Sequence, residues 1–259
     1  MTTRRSNTAS AMSSEPINSP RGRLFFNGSA ILIVFDMDGT LIDAEAIDEI
    51  AKAANVGDLV AALTKRAMMG EMDFEEALRE RVKLLKGLRV EEVNKVALNI
   101  PLMKGAKKLI RELKKEYKVA MVSGGFTIVA ERVAQELKID CLVANKLVIE
   151  DGVLTGEVVG PLVRQNSKKD ALEAIAKREG IRPKDCIVIG DGANDISMFE
   201  ASGFSIAFNA NPILYDISDV IITKKDLSLI LPVIRGGAYA ERVTREESAA
   251  KKRSRHLEA

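Results

Sequence analysis

AILIVFDMDGT, Ala30 to Thr40, is the stretch that decides the fold. Its first six residues are an unbroken apolar run, rich in Ile and followed closely by Gly39, which reads as a strand buried on both faces. Two carboxylates, Asp36 and Asp38, stand at the strand's C-terminal end. In an open α/β sheet that end opens into the ligand crevice, where two acids one residue apart are costly unless a metal or a proton compensates them.

Moving outward from this strand, residues 44 to about 100 read as helices with no strand between them. Ala44, Ile47, Ala51 and Ala54 share one face of the first, and Leu59, Leu63 and Ala67 one face of the second. Asp73 with Glu76 makes a capping-box start for a third helix expected to run to Gly87, and a fourth ends before Pro101. A helical insertion of this size directly after the first strand is expected to form a small cap over the strand's tip. From 101 to 235 strands and helices alternate: KVAMV at 118–122, a short strand around 140–144, a hairpin about Asp151-Gly152, CIVIG at 186–190, and strands near 204–208 and 219–222. A last core helix is expected from Asp226 to near Pro232. The fold class expected is α/β, a doubly wound parallel sheet formed by 30–43 and 101–235, with the cap at 44–100.

The chain has 259 residues, 46% hydrophobic and 29% charged, ordinary values for a globular protein. Residues 1–29 mix Ser, Asn, Pro and Arg without a period and are expected to be a disordered leader. Beyond Gly236 the chain is densely charged, with no apolar stripe wide enough to dock, and is expected to be a solvated helix or tail. The formal charge of +2 sits in these two ends, and the body between them is slightly acidic. No basic stripe with interleaved aromatics points to nucleic acid, and no apolar run approaches a membrane span or a secretory signal core. Two cysteines, Cys141 and Cys186, each beside an apolar run, fit buried thiols in a reducing, cytoplasmic setting. His256 is the one histidine and lies in the tail, so any general acid or base in the body is a carboxylate, Lys, Tyr or Cys.

Three further polar groupings fall at expected strand tips or helix starts: Ser123-Gly124-Gly125, Lys168, and GDGAND from Gly190 to Asp195. Singly, these read as turns, a loop and a solvated lysine. Together with Asp36 and Asp38, on one edge of a parallel sheet, they gather four acids, a lysine, a hydroxyl and glycine amides. Four acids there require a hard divalent cation, and oxygen ligands beside a phosphate favour Mg²⁺. Ser123 and the glycine amides suit phosphate oxygens at a helix start. This inventory is what phosphoryl transfer through an aspartyl phosphate requires.

DMDGT, SGG, the lysine and GDGAND resemble the four motifs of the haloacid dehalogenase superfamily, over about Ile31 to Ile234. MVSGGF, ANKLVIEDGVLTG, IAKREGI and GDGANDISMF are most similar to its phosphoserine phosphatases, especially the compact microbial form. Where that branch often has Ser after the second Asp, this chain has Gly39, the commoner superfamily choice. The resemblance implies that Asp36 is the nucleophile and that Asp38 is general acid and base, its carbonyl helping to hold Mg²⁺. It implies that Asp191 is the other metal carboxylate and that Asp195 steadies the metal's waters. Ser123, Gly124 and Lys168 would hold the phosphoryl oxygens, with Asn194 nearby. Positions matching Glu45 and Arg81 would bind the ammonium and carboxylate of the substrate, and those matching Met68 and Phe74 would line the cap. Arg81 falls on the stripe of Phe74, Leu78 and Leu85, and a guanidinium there needs an anionic partner, either a cap glutamate or a ligand.

The expected activity is Mg²⁺-dependent hydrolysis of O-phospho-L-serine to serine, by a monomer or homodimer with no nucleic-acid or membrane partner. Two rivals stand beside it. One is a related phosphatase or phosphotransferase acting on another small phosphomonoester, which the motifs alone do not separate. The other is a binding or regulatory protein that keeps the fold, which would be expected to have lost a motif residue.

Overall fold

The computed structural model describes residues 32–68 and 71–236; the expected leader, residues 30–31 of the expected first strand, and the charged segment from 237 lie outside the described residues. In chain order the elements are β1 (Leu32–Phe35), α1 (Ala46–Ala53), α2 (Gly57–Met68), α3 (Phe74–Lys83), α4 (Val90–Asn99), α5 (Ala106–Leu113), β2 (Lys118–Phe126) and α6 (Thr127–Leu137). They continue with β3 (Cys141–Glu150), β4 (Val153–Val159), α7 (Ser167–Arg178), β5 (Cys186–Gly190), α8 (Ile196–Ala201), β6 (Phe204–Phe208), β7 (Val220–Ile222) and α9 (Ile230–Ile234).

The seven strands form one sheet in the order β4-β3-β2-β1-β5-β6-β7, parallel except for the β3–β4 hairpin. β1 lies at its centre, and the chain winds from it first toward β2 and later toward β5, so the topological switch falls at β1. Phe35 is level with Met121 of β2 and Ile189 of β5, which puts Asp36 beside the tips of both neighbours. Every residue of β1 is buried, as its continuous apolar run requires. The sheet separates two cores. Ile33, Phe35, Met121 and Ile189 face one, and Leu32, Val34, Val122 and Val188 the other.

The cap leaves the core at one doorway, where Ile42 bridges Leu102, Asp43 N–H donates to Pro101 O (3.0 Å) and Met103 N–H to Leu41 O (2.8 Å). It is tied a second time to the hairpin. Gly87 N–H donates to Leu154 O (2.8 Å), Leu154 N–H to Leu88 O (2.8 Å) and Val90 N–H to Gly152 O (2.9 Å). This second tie explains why α3 ends at Lys83, a turn before the expected Gly87: the backbone there pairs with β4 instead of continuing the helix. Asp73 caps α3 as expected, accepting from Glu76 N–H (2.8 Å).

Other expectations shift in extent. The strand expected near 140–144 and the first arm of the hairpin are one strand, β3, whose first half pairs with β2 and second half with β4. The final helix begins at Ile230, after a 3₁₀ turn over Leu227–Leu229, and runs past Pro232. Proline is tolerated there because first-turn amides need no intrahelical partner. Among the described residues no helix is long and apolar enough to cross a membrane, and both cysteines are free and buried.

Asp226 starts that 3₁₀ turn. It accepts from Ser228 N–H (3.1 Å) and Oγ–H (2.6 Å) and pairs with Lys104 (2.9 Å). The Ser228 hydroxyl first, then Lys104, hold its carboxyl down to about 2, against 3.8 for an ordinary Asp. A depressed acid stabilises the fold above its unfolded value and loses that contribution as pH falls through its folded value. Asp226→Asn is therefore expected to melt below the parent at neutral pH, with the gap closing between about pH 4 and pH 2. Melting curves across that range check it; a gap that persists at the acid end would assign the effect to packing.

Candidate active site

Strand tips β1, β2 and β5 and the start of α7 meet at one edge of the sheet. Asp36 continues the β1–β5 ladder, its N–H donating to Ile189 O (2.9 Å). Lys168, buried on the first turn of α7, donates to Asp36 Oδ1 and Asp195 Oδ1, both at 2.6 Å. Asp195 Oδ2 accepts from the amides of Asp191 (3.0 Å) and Gly192 (3.1 Å). Asp38 Oδ1 accepts Ala46 N–H (2.7 Å) at the start of α1, and Ser123 Oγ–H donates to Asp38 Oδ2 (3.4 Å). Gly39, at φ +65°, lies against Asp191, and a Cβ there would overlap Asp191 Oδ2.

Burial dominates the electrostatics. It pushes Asp36 up to about 7, with Lys168 opposing and Asp195 and Asp38 adding to the rise. Burial, then Asp36 and Asp195, push Asp191 up to about 9. Asp38 is also raised by burial, although the Ala46 amide and Lys168 work against it. Burial disfavours the Lys168 charge, but Asp195 and Asp36 more than offset this and raise its pKa.

Asp36, Asp191 and Asp195 bring carboxylate oxygens within 4.8 Å of one another, a set that could hold a metal ion. Lys168 bonds one oxygen of Asp36 and one of Asp195, and two amides take the other oxygen of Asp195, which leaves Asp36 Oδ2 and the Asp191 carboxylate without a hydrogen bond among the described residues. Hard oxygen donors at this spacing, strongly reluctant to ionise together, fit a divalent cation, whose charge would bring both into the anionic form.

Across a cavity of about 790 Å³ the cap supplies a second wall, including Glu45, Asp48, Thr64, Phe74 and Arg81. Glu45 stands at the N-cap of α1 but makes no capping bond. Burial, then Asp38 and Asp36, push it up to about 8 even though its surface remains open to the cleft. Arg81 donates to Ala77 O (3.0 Å) and reaches Thr64 Oγ1 (3.5 Å), yet among the described residues no carboxylate forms an ion pair with it. Burial lowers its pKa, opposed by Asp48, Glu45 and Asp38. A Cβ on Gly124 would touch the Phe74 ring (3.7 Å) and the Asn194 amide (3.8 Å), so cap and core close over that glycine. Met68 ends α2, and its side chain lies outside the described residues.

Three residues of the site escape a sequence reading. Asp48 sits one turn after Glu45 on α1 and faces the same cavity, and Thr64 of α2 reaches Arg81. Asn145 is fully buried against Gly124 and Leu162. Its signal was a lone amide inside the apolar strand CLVANKLVIE.

A model of the haloacid dehalogenase-like hydrolases matches residues 32–203. The phosphoserine phosphatase of Archaeoglobus fulgidus is 49% identical over 211 residues, which cover 81% of this chain and 61% of that longer protein. The phosphoserine phosphatase of Methanocaldococcus jannaschii is 48% identical over 205 residues, covering 79% of this chain and 97% of its own. A solved phospho-aspartyl intermediate analogue of phosphoserine phosphatase superposes with a TM-score of 0.75 at 48% identity, covering 79% of this chain and 98% of that one. The parallel sheet, the acids at its tips and this likeness along nearly the whole of compact relatives agree: the chain belongs to the haloacid dehalogenase-like hydrolases, and within them to the phosphoserine phosphatase family.

Proposed function

We infer that the protein hydrolyses O-phospho-L-serine to L-serine and phosphate through a phosphoaspartate on Asp36, with Mg²⁺ as the cation. The observation that carries this reading is the pairing of two walls. A lysine-bonded carboxylate lies at the sheet edge, and a cap acid and a cap guanidinium with no ion pair among the described residues lie across the cavity. The first wall handles a phosphoryl group, and the second suits the ammonium and carboxylate of an amino acid.

An Asp36 oxygen attacks phosphorus in line, and the bond from phosphorus to the serine oxygen breaks. Asp38, whose raised pKa suits a proton carrier, gives its proton to that oxygen. It then takes a proton from the water that attacks the phosphoaspartate, releasing phosphate and restoring Asp36. Lys168, Ser123 and Gly124, with Asn194 nearby, bind the phosphoryl oxygens and hold them in place. Asp36, Asp191 and the Asp38 carbonyl, with Asp195 behind, would hold Mg²⁺, which when bound would supply charge neutralisation for Asp36 and the phosphoryl oxygens. Glu45 and Arg81 orient the headgroup, and Phe74 encloses it. The two unpaired cysteines agree with a reducing, cytoplasmic setting.

Phosphate release from L-phosphoserine is expected to exceed that from sugar phosphates and phosphothreonine and to vanish with EDTA. Arg81→Ala is expected to cut kcat/KM for phosphoserine roughly a hundredfold while leaving p-nitrophenyl phosphate within about threefold. Equal losses on both substrates would sink the headgroup assignment.

A further inference from the structure

We propose that Asn145 is a positioning residue for the reaction, setting the direction of the Gly124–Gly125 peptide where β2 bends toward the phosphoryl site; this rests on the phosphatase reading above. β2 and β3 pair in step from Ala120↔Cys141 to Ser123↔Ala144, and then the register jumps to Phe126↔Asn145. Gly124 and Gly125 are therefore opposite no residue of β3. Such a bulge re-aims the backbone, and two successive glycines leave nothing intrinsic to fix its direction.

Asn145 supplies what the glycines lack. Its side chain has no exposed surface. Nδ2–H donates to Gly124 O (3.0 Å), while Oδ1 accepts from Leu162 N–H (2.9 Å), on the segment that leads to Lys168. A carbonyl on one side and an amide N–H on the other permit only this orientation of the amide. The far end of the same peptide is held too, since Gly125 N–H donates to Ser123 Oγ (2.9 Å). The peptide is thus gripped at its oxygen by Asn145 and at its nitrogen by Ser123, whose hydroxyl reaches Asp38. One side chain thereby ties together the loop facing the phosphoryl group and the approach to the lysine that binds it, outside direct contact with substrate.

Asn145→Asp keeps the shape and the acceptor for Leu162 but faces Gly124 O with a second acceptor; Asn145→Ala removes both bonds. Either variant is expected to raise the inhibition constant of inorganic phosphate roughly ten- to a hundredfold, with kcat falling alongside. The inhibition constant of L-serine, which engages the cap wall, is expected to stay within about twofold. Unchanged phosphate inhibition would overturn the proposal, as would parallel loss of phosphate and serine, the mark of a site that has merely collapsed. If neither variant folds, the wild-type protein still decides. The Asn145 side-chain NH₂ resonances are expected to shift on adding inorganic phosphate and not on adding L-serine, and no shift with phosphate would overturn the assignment. Wild-type turnover of phosphoserine, measured alongside, tests the phosphatase reading separately: phosphate binding without turnover would fault that reading and not the role of Asn145.

Discussion

Asp36→Asn is expected to lower kcat for phosphoserine by about four orders of magnitude or more, because on the proposed mechanism it removes the atom that would form the bond to phosphorus. The amide matches the carboxylate in size and still meets Lys168, so the loss belongs to chemistry and not to shape. Stability is expected to move the other way. The folded protein holds Asp36 near 7, well above its unfolded value, so this residue costs increasing stability as pH rises between the two. An Asn in its place carries no such cost, and the metal-free variant is expected to melt at or above the parent at pH 8. Single-turnover kinetics and melting curves in EDTA check both halves. Residual kcat within about tenfold of the parent would remove Asp36 from the role of nucleophile.

Lys168→Met carries the second largest effect. The lysine is the cation bonded to both Asp36 and Asp195, and all three groups are buried. Its removal is expected to cut kcat/KM about a thousandfold, the scale of losing a preorganised charge aimed at a phosphoryl oxygen. It also leaves acids without their counter-charge. Asp36, already raised, would rise further, so the window over which the fold loses stability extends above pH 7. The metal-free variant is therefore expected to be most destabilised in alkaline solution and to recover toward pH 6, the opposite trend to Asp36→Asn. A pH-independent loss of stability would mean that the lysine acts through packing alone.

The parallel sheet was legible because its strands are continuous apolar runs and its polar groups fall directly after them, as at Phe35-Asp36 and Ile189-Gly190-Asp191. That pattern is local, and one parallel sheet is enough to bring its parts together. Asn145 was not legible in the same way, because its meaning depends on a register jump against β2 and on Leu162 arriving from beyond the hairpin. The early stop of α3 has a similar cause. Helix propensity around Leu84 to Gly87 is overridden by backbone pairing with Leu154, a residue far along the chain with no counterpart signal in the cap. Arg81 was placed on the apolar stripe by spacing, but periodicity does not reveal whether such a cation has an acid beside it. Among the described residues it has hydrogen bonds to Thr64 and a backbone carbonyl and no ion pair.

The double attachment of the cap bears on what can enter. A panel hung from one edge swings wide, whereas one pinned at the doorway near Ile42 and Leu102 and again at the hairpin near Gly152 and Leu154 can only bow between its fixings. Between those fixings run α2 and the first turn of α3, which carry Thr64 and Phe74. Entry to the cavity is therefore expected to rest on a modest flexing of that span.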